Sequence, residues 1–137
     1  MSWFPAIATV ALGGALGAVL RYAAGLGIAA LLKGHDLAAH AATLAVNLAG
    51  CLAIGALLPW LLAREADGGT HHLRLLLVVG LLGSFTTFSA FGQQTIDLLR
   101  DAKHAHAVAY VGVHIVAGIA AVAIGAWVTS RFVATSG

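Results

Sequence analysis

Asn47, Thr86, Thr87, Ser89, Gln93 and Gln94 are neutral hydrogen-bonding residues set within apolar runs of membrane-crossing length. A polar group at membrane depth is costly, so each is a functional candidate. Arg21, Tyr110 and His114 complete the set. No Asp or Glu lies deep in any apolar run, and Asp97, close to the end of the third run, comes nearest. A path lined by neutral donors without carboxylates suits an anion better than a cation. Proton-coupled cation exporters commonly rely on a membrane carboxylate, and none is placed for that task here. Neither a nucleophile–base pair nor a metal-ligand spacing is present, so an enzyme is not expected.

Phe88 and Phe91 are three residues apart and therefore neighbours on one helix face. An aromatic ring has a positive edge, so rings presented edge-on can accept a small anion without trapping it. The same spacing equally describes a pair of packing aromatics. Gly80 and Gly83, just before "SFTTFS", weaken a helix at that point. Two readings follow: a broken helix whose freed carbonyls hold a cation, or a straight helix with glycines for packing. Arg21 is either a pathway charge or a snorkelling, structurally paired residue. His114 is either a pH-sensitive pathway group or a neutral packing residue. The lone Cys51 reads as an inert buried thiol, and His71, His72, His104 and His106 as solvated residues of loops or span ends.

These residues must be carried by helices in a bilayer. Of 137 residues 61% are hydrophobic and 9% charged, and the mean hydropathy is +0.97. A soluble domain carries about a quarter charged residues. The chain is therefore expected to be an integral membrane protein, a single four-helix domain spanning roughly residues 4–32, 41–63, 75–99 and 107–132. The links are Lys33–His40, the glycine-rich and charged Arg64–Arg74, and Arg100–His106. The first run exceeds a signal-peptide core and no basic segment precedes it, so it is read as a span. A net charge of +2 is too small to suggest a nucleic-acid partner; lipid head groups account for the scattered Lys and Arg.

Arg64, Arg74 and Arg131 fall on one side of this topology, and Lys33, Arg100 and Lys103 on the other. Three against three leaves no preferred orientation, which fits either a chain that inserts both ways up and pairs antiparallel or a set of six charges too small for a statistical rule to act on. Each span also carries one small or polar stripe. Gly13, Gly17, Arg21 and Gly25 align on the first, Thr43, Asn47 and Cys51 on the second, and Tyr110, His114 and Gly118 on the fourth. Small residues so spaced let helix backbones approach closely.

The segments "GGALGAVLRY" (Gly13–Tyr22), "TLAVNLAG" (Thr43–Gly50) and "GLLGSFTTFSAF" (Gly80–Phe91), with the later Ala109–Tyr110, resemble the Fluc/CrcB family of fluoride channels. Their order and spacing cover essentially the whole chain. The resemblance implies an all-α membrane protein with the third of four helices broken mid-membrane, paired as an antiparallel dual-topology homodimer in a bacterial plasma (inner) membrane. It implies passive export of fluoride from the cytoplasm to lower its toxicity. It further implies that the backbone carbonyls of Gly83 and Thr86 from both copies hold a structural sodium ion at the dimer interface. Asn47, Thr87, Phe88, Ser89, Phe91, Tyr110 and His114 would line the fluoride path, and Arg21 would sit near a vestibule. Three departures stand out: Ala90 where the family usually has Thr, Gln94 where it commonly has Glu, and His114 where a Ser usually follows the Tyr by four. A small multidrug-type dual-topology exporter and a non-transporting assembly subunit are the alternatives.

Overall fold

The computed structural model of the protein describes residues 3–64 and 70–134, with side chains as far as residue 132. Residues 65–69 of the expected Arg64–Arg74 link and the tail 135–137 lie outside the described residues. Among those described, all regular structure is helical. The order is α1 (Phe4–Leu31), α2 (Ala38–Ala63), α3 (His71–Arg74), a π-helical stretch (Leu75–Leu82), α4 (Gly83–Phe85), α5 (Phe88–Arg100) and α6 (His104–Ala134). Four stretches of helix are long and apolar enough to cross a membrane, the third being residues His71–Arg100 taken together. The chain is an integral membrane protein of four helical spans.

Three boundaries differ from expectation in ways that move residues of interest; at one of them α6 begins at His104, so His104 and His106 are helical rather than part of the third link. α2 begins at Ala38, so His40 is helical rather than part of the first link. The third span begins at His71, a turn earlier than Leu75, so His71 and His72 sit on helix. In each case the helix continues through a histidine-bearing turn outside the expected run, where hydropathy carries little signal.

Close backbone contact holds the bundle. α1 packs on the π-helical stretch, and there a Cβ on Gly17 would come within 2.1 Å of the Leu81 carbonyl oxygen. α2 packs on α6, where Gly55 and Gly125 meet in the same way: a Cβ on Gly55 would lie 2.2 Å from the Val122 carbonyl oxygen. The first half of the expected α1 stripe, Gly13 and Gly17, is thus a surface along which helices touch, whereas Gly25 of the same stripe meets nothing within 4 Å; on α2 the close contact falls at Gly55, one turn beyond Cys51. Deeper burial falls to Leu61, Leu98 and Ala107, while Phe4, Val19, Ile119 and other large apolar residues remain exposed on the single chain. A bilayer is the solvent that suits such a surface.

The link from α5 to α6 is short and fixed. Ala102 takes φ 57°, and the Lys103 N–H reaches back to the Leu98 carbonyl at 2.8 Å. This closes the end of α5 with a left-handed residue and folds α6 back beside it. Tyr110 is thereby delivered against Leu98 and Phe91.

Candidate functional site

The third span leaves helical geometry at two residues only. Thr86 has φ −82°, ψ 156° and Thr87 has φ −146°, ψ 115°, both extended. The glycines expected to break the helix do not coincide with this point. Gly80 serves instead as a contact surface, since a Cβ there would lie 2.7 Å from the Val10 carbonyl oxygen, and Gly83 keeps helical dihedrals. The interruption falls where a side chain from another helix competes for the backbone. Asn47 of α2 donates from Nδ2 to the Thr87 carbonyl at 3.1 Å and accepts the Thr87 N–H on Oδ1 at 2.8 Å. A continued helix would have sent that N–H to the Gly83 carbonyl. Thr87 then caps α5, its Oγ1 accepting the Ala90 N–H at 3.2 Å and lying 3.1 Å from Ser89 Oγ.

This rerouting bears on cation binding. The N–H groups that would have satisfied the Gly83 and Thr86 carbonyls in an unbroken helix are those of Thr87 and Ala90. Both go to side-chain oxygens instead. Two backbone carbonyls near one break, released from helical partners, form an uncharged oxygen donor set of the kind that suits a hard monovalent cation. Thr86 itself is tied back, its N–H and its hydroxyl both donating to the Leu82 carbonyl at 3.1 Å.

Beside the break lies a cavity of about 400 Å³. Among its walls are Asn47, Gly83, Thr86, Thr87, Phe91 and His114, and the exposed ring of Phe88 stands at its open rim. Phe88 and Phe91 are 5.4 Å apart between ring centres with planes tilted by 52°. Phe91 continues to His114 at 4.5 Å and to Tyr110 at 5.6 Å. Three expected pathway residues therefore stand outside this cavity. Tyr110 joins it through ring contact, Ser89 through the Thr87 hydroxyl, and Arg21 only across Thr87. Arg21 lines a second cavity of about 420 Å³ with Thr43, Ala90 and Gln94, and Thr87 is a wall of both cavities. The Nε of Arg21 is buried with no hydrogen-bond partner among the described residues.

Gln94 is the hub of the polar network. Its Nε2 donates to Thr43 Oγ1 at 3.0 Å and to the Ala39 carbonyl at 3.3 Å, and its Oε1 accepts the Tyr110 hydroxyl. One side chain of α5 thus ties α2 to α6. Thr43 is a participant that sequence reading placed on a stripe but not in the site. His114 Nδ1 lies 3.0 Å from the Tyr110 carbonyl, while its Nε2 is buried without a hydrogen-bond partner among the described residues. A carbonyl can only accept, so Nδ1 carries the proton, and a neutral His114 turns its Nε2 lone pair away from that bond.

A four-span membrane protein with an interrupted third span, an asparagine clasping the interruption and two phenylalanines beside it is the class that these features define. The sequence matches the CrcB-like protein family (Camphor Resistance, CrcB) over residues 8–126. It is 42% identical over 125 residues to a protein of Hyphomonas neptunium named fluoride-specific ion channel FluC, covering 91% of this chain and 95% of that one. Proteins of the same name from Paracoccus denitrificans (46% over 116 residues, 85% and 87% covered) and Dehalococcoides mccartyi (36% over 132 residues, 96% and 97% covered) are also similar. The chain belongs to the CrcB family.

Proposed function

We propose that the protein is a passive fluoride channel of a bacterial inner membrane, releasing fluoride from the cytoplasm. Its relatives carry that name. The observation that carries the reading is electrostatic: the walls of the two cavities that meet at Thr87 include no carboxylate and one cation, Arg21. A positive guanidinium raises local anion concentration, and rings and hydroxyls then offer weak contacts that bind without trapping. Asn47, Thr87, Phe88, Ser89, Phe91, Tyr110 and His114 line the route in this reading, with Arg21 at its vestibule.

Two copies paired antiparallel complete the channel. Phe88 is 82% exposed on the single chain although it flanks the cavity, and Gly83 is also exposed, so a second copy across this face would enclose both. The balance of three basic residues at each end of the bundle permits either orientation of insertion. The break at Thr86 and Thr87 would then lie near the midplane. The Gly83 and Thr86 carbonyls of both copies would hold a sodium ion, which supplies a fixed positive charge and joins the subunits.

Purified protein in liposomes with a fluoride electrode tests the reading. Fast fluoride efflux without chloride efflux is expected. Absence of fluoride efflux from vesicles shown to contain folded protein would overturn it. Tags accessible from both membrane faces in equal measure are expected from dual insertion.

A further inference from the structure

The chain of aromatic contacts continues beyond Tyr110 to α2. From Phe88 through Phe91 to Tyr110 the rings stand 5.4 and 5.6 Å apart, and beyond Tyr110 comes His40 of α2, 5.3 Å away and nearly perpendicular at 78°. His40 follows Ala39, whose carbonyl accepts from Gln94, so it sits at the level of the Gln94–Tyr110 network. With Tyr110 and His106 it lines a cavity of about 190 Å³. His106 and Leu37 also line the next cavity outward, of about 460 Å³, where Lys103, His35 and Asp36 stand. The succession therefore runs from the phenylalanines to charged residues at one end of the bundle.

Both ring nitrogens of His40 are buried and have no hydrogen-bond partner among the described residues. Any imidazole carries at least one N–H, so in either tautomer, or when protonated, this ring holds a donor without an acceptor. A buried donor left unpaired is costly, and the described residues offer His40 no acceptor. Neither nitrogen faces the cavity in this structure, whose walls are almost wholly apolar, so the missing partner is an acceptor small enough to meet the ring where it turns toward that space.

We propose that His40 is an anion-contacting residue: its ring N–H receives the halide as it passes between Tyr110 and the Lys103 end of the bundle. This rests on the channel reading above and extends the path by one ring that no sequence signal marked. A hydration site, in which the partner is only water, is the competing outcome.

The test compares His40→Phe, which keeps a ring and removes both nitrogens, with His40→Gln, which keeps an N–H. Fluoride efflux from liposomes is expected to fall about tenfold or more in His40→Phe and to stay within about threefold of the parent in His40→Gln, with both variants melting at the parent temperature. Parent-like efflux in His40→Phe would overturn the proposal, as would an equal fall in both variants, which marks ring packing or water. Should His40→Phe not fold, the parent supplies the second measurement: the His40 ring nitrogen NMR signals should move on adding sodium fluoride and stay fixed on adding sodium gluconate. Signals unmoved by fluoride would sink the idea. A parent that carries no fluoride at all defeats the channel reading, which a parent-like His40→Phe does not.

Discussion

Asn47 and Thr87, forty residues apart in sequence, are joined by two hydrogen bonds that together replace a turn of helix. The amide of one side chain takes the place of a peptide neighbour: it accepts from the Thr87 N–H and donates to the Thr87 carbonyl. That exchange keeps the third span open at one point without leaving these Thr87 backbone groups unpaired.

Asn47→Ala removes both partners from a part-buried peptide. The loss should be about 2 kcal/mol or more, seen as a lower melting temperature in detergent, and fluoride efflux should fall with it. Asn47→Asp keeps the acceptor and puts a carboxylate on the cavity wall. Its efflux should fall further than its melting temperature.

The ring of Phe88 makes little contact within one chain, so Phe88→Ile should leave the folding of the subunit intact. Efflux should nonetheless drop by about tenfold or more, because an aliphatic group has no positive edge for an anion. Unchanged efflux would return this ring to a packing role.

Two glycines on one stripe of α1 should respond oppositely. Gly17→Ala drives a methyl into the Leu81 carbonyl oxygen and forces α1 away from the π-helical stretch, at a cost of about 1–3 kcal/mol. Gly25→Ala meets nothing within 4 Å and should be neutral within about 0.5 kcal/mol or slightly stabilising. Paired melting curves decide this.

His114 should confer a pH response. With Nδ1–H committed to the Tyr110 carbonyl, the neutral ring offers a lone pair, and protonation converts Nε2 into a donor. Fluoride efflux should therefore rise as pH falls through the titration of this ring. In His114→Ser that rise should be absent; identical flux–pH profiles for the two proteins would remove His114 from the path.

Tyr110→Phe leaves Gln94 Oε1 without its hydroxyl donor. About 1 kcal/mol of stability should be lost, with efflux reduced less than in the Phe88 variant. A double-mutant comparison with Gln94→Ala should show strong coupling between the two positions.

Four spans and their small-residue stripes were legible because hydropathy and i, i+4 spacing are local properties. Gly13 and Gly17 met the third span as a stripe of small residues requires, while Gly25 on the same stripe met nothing. The point of interruption was not legible to the residue. Glycine propensity alone pointed to Gly80 and Gly83, and the family resemblance to "GSFTTFS" (Gly83–Ser89) as a whole; within that segment the backbone opens at Thr86 and Thr87, where Asn47 reaches it from another helix. No local pattern encodes such a contact. Arg21 likewise shares a stripe with the glycines, yet it faces a cavity of its own, separated by Thr87 from the phenylalanines. His40 was hidden for a different reason: in a polar link a histidine looks solvated, and only the earlier start of α2 turns its ring inward against Tyr110.

The extended pair Thr86–Thr87 has an electrostatic consequence. It places the carbonyl end of one helical segment directly before the amide end of α5, and peptide dipoles do not cancel across such a gap. The chain thereby sets a partial negative pole and a partial positive pole about two residues apart, with no ionised side chain supplying either. Dipoles of the main chain neither titrate nor can be neutralised by a proton. This pair of opposed poles is thus a permanent property of the backbone, held at any pH at which the protein stays folded.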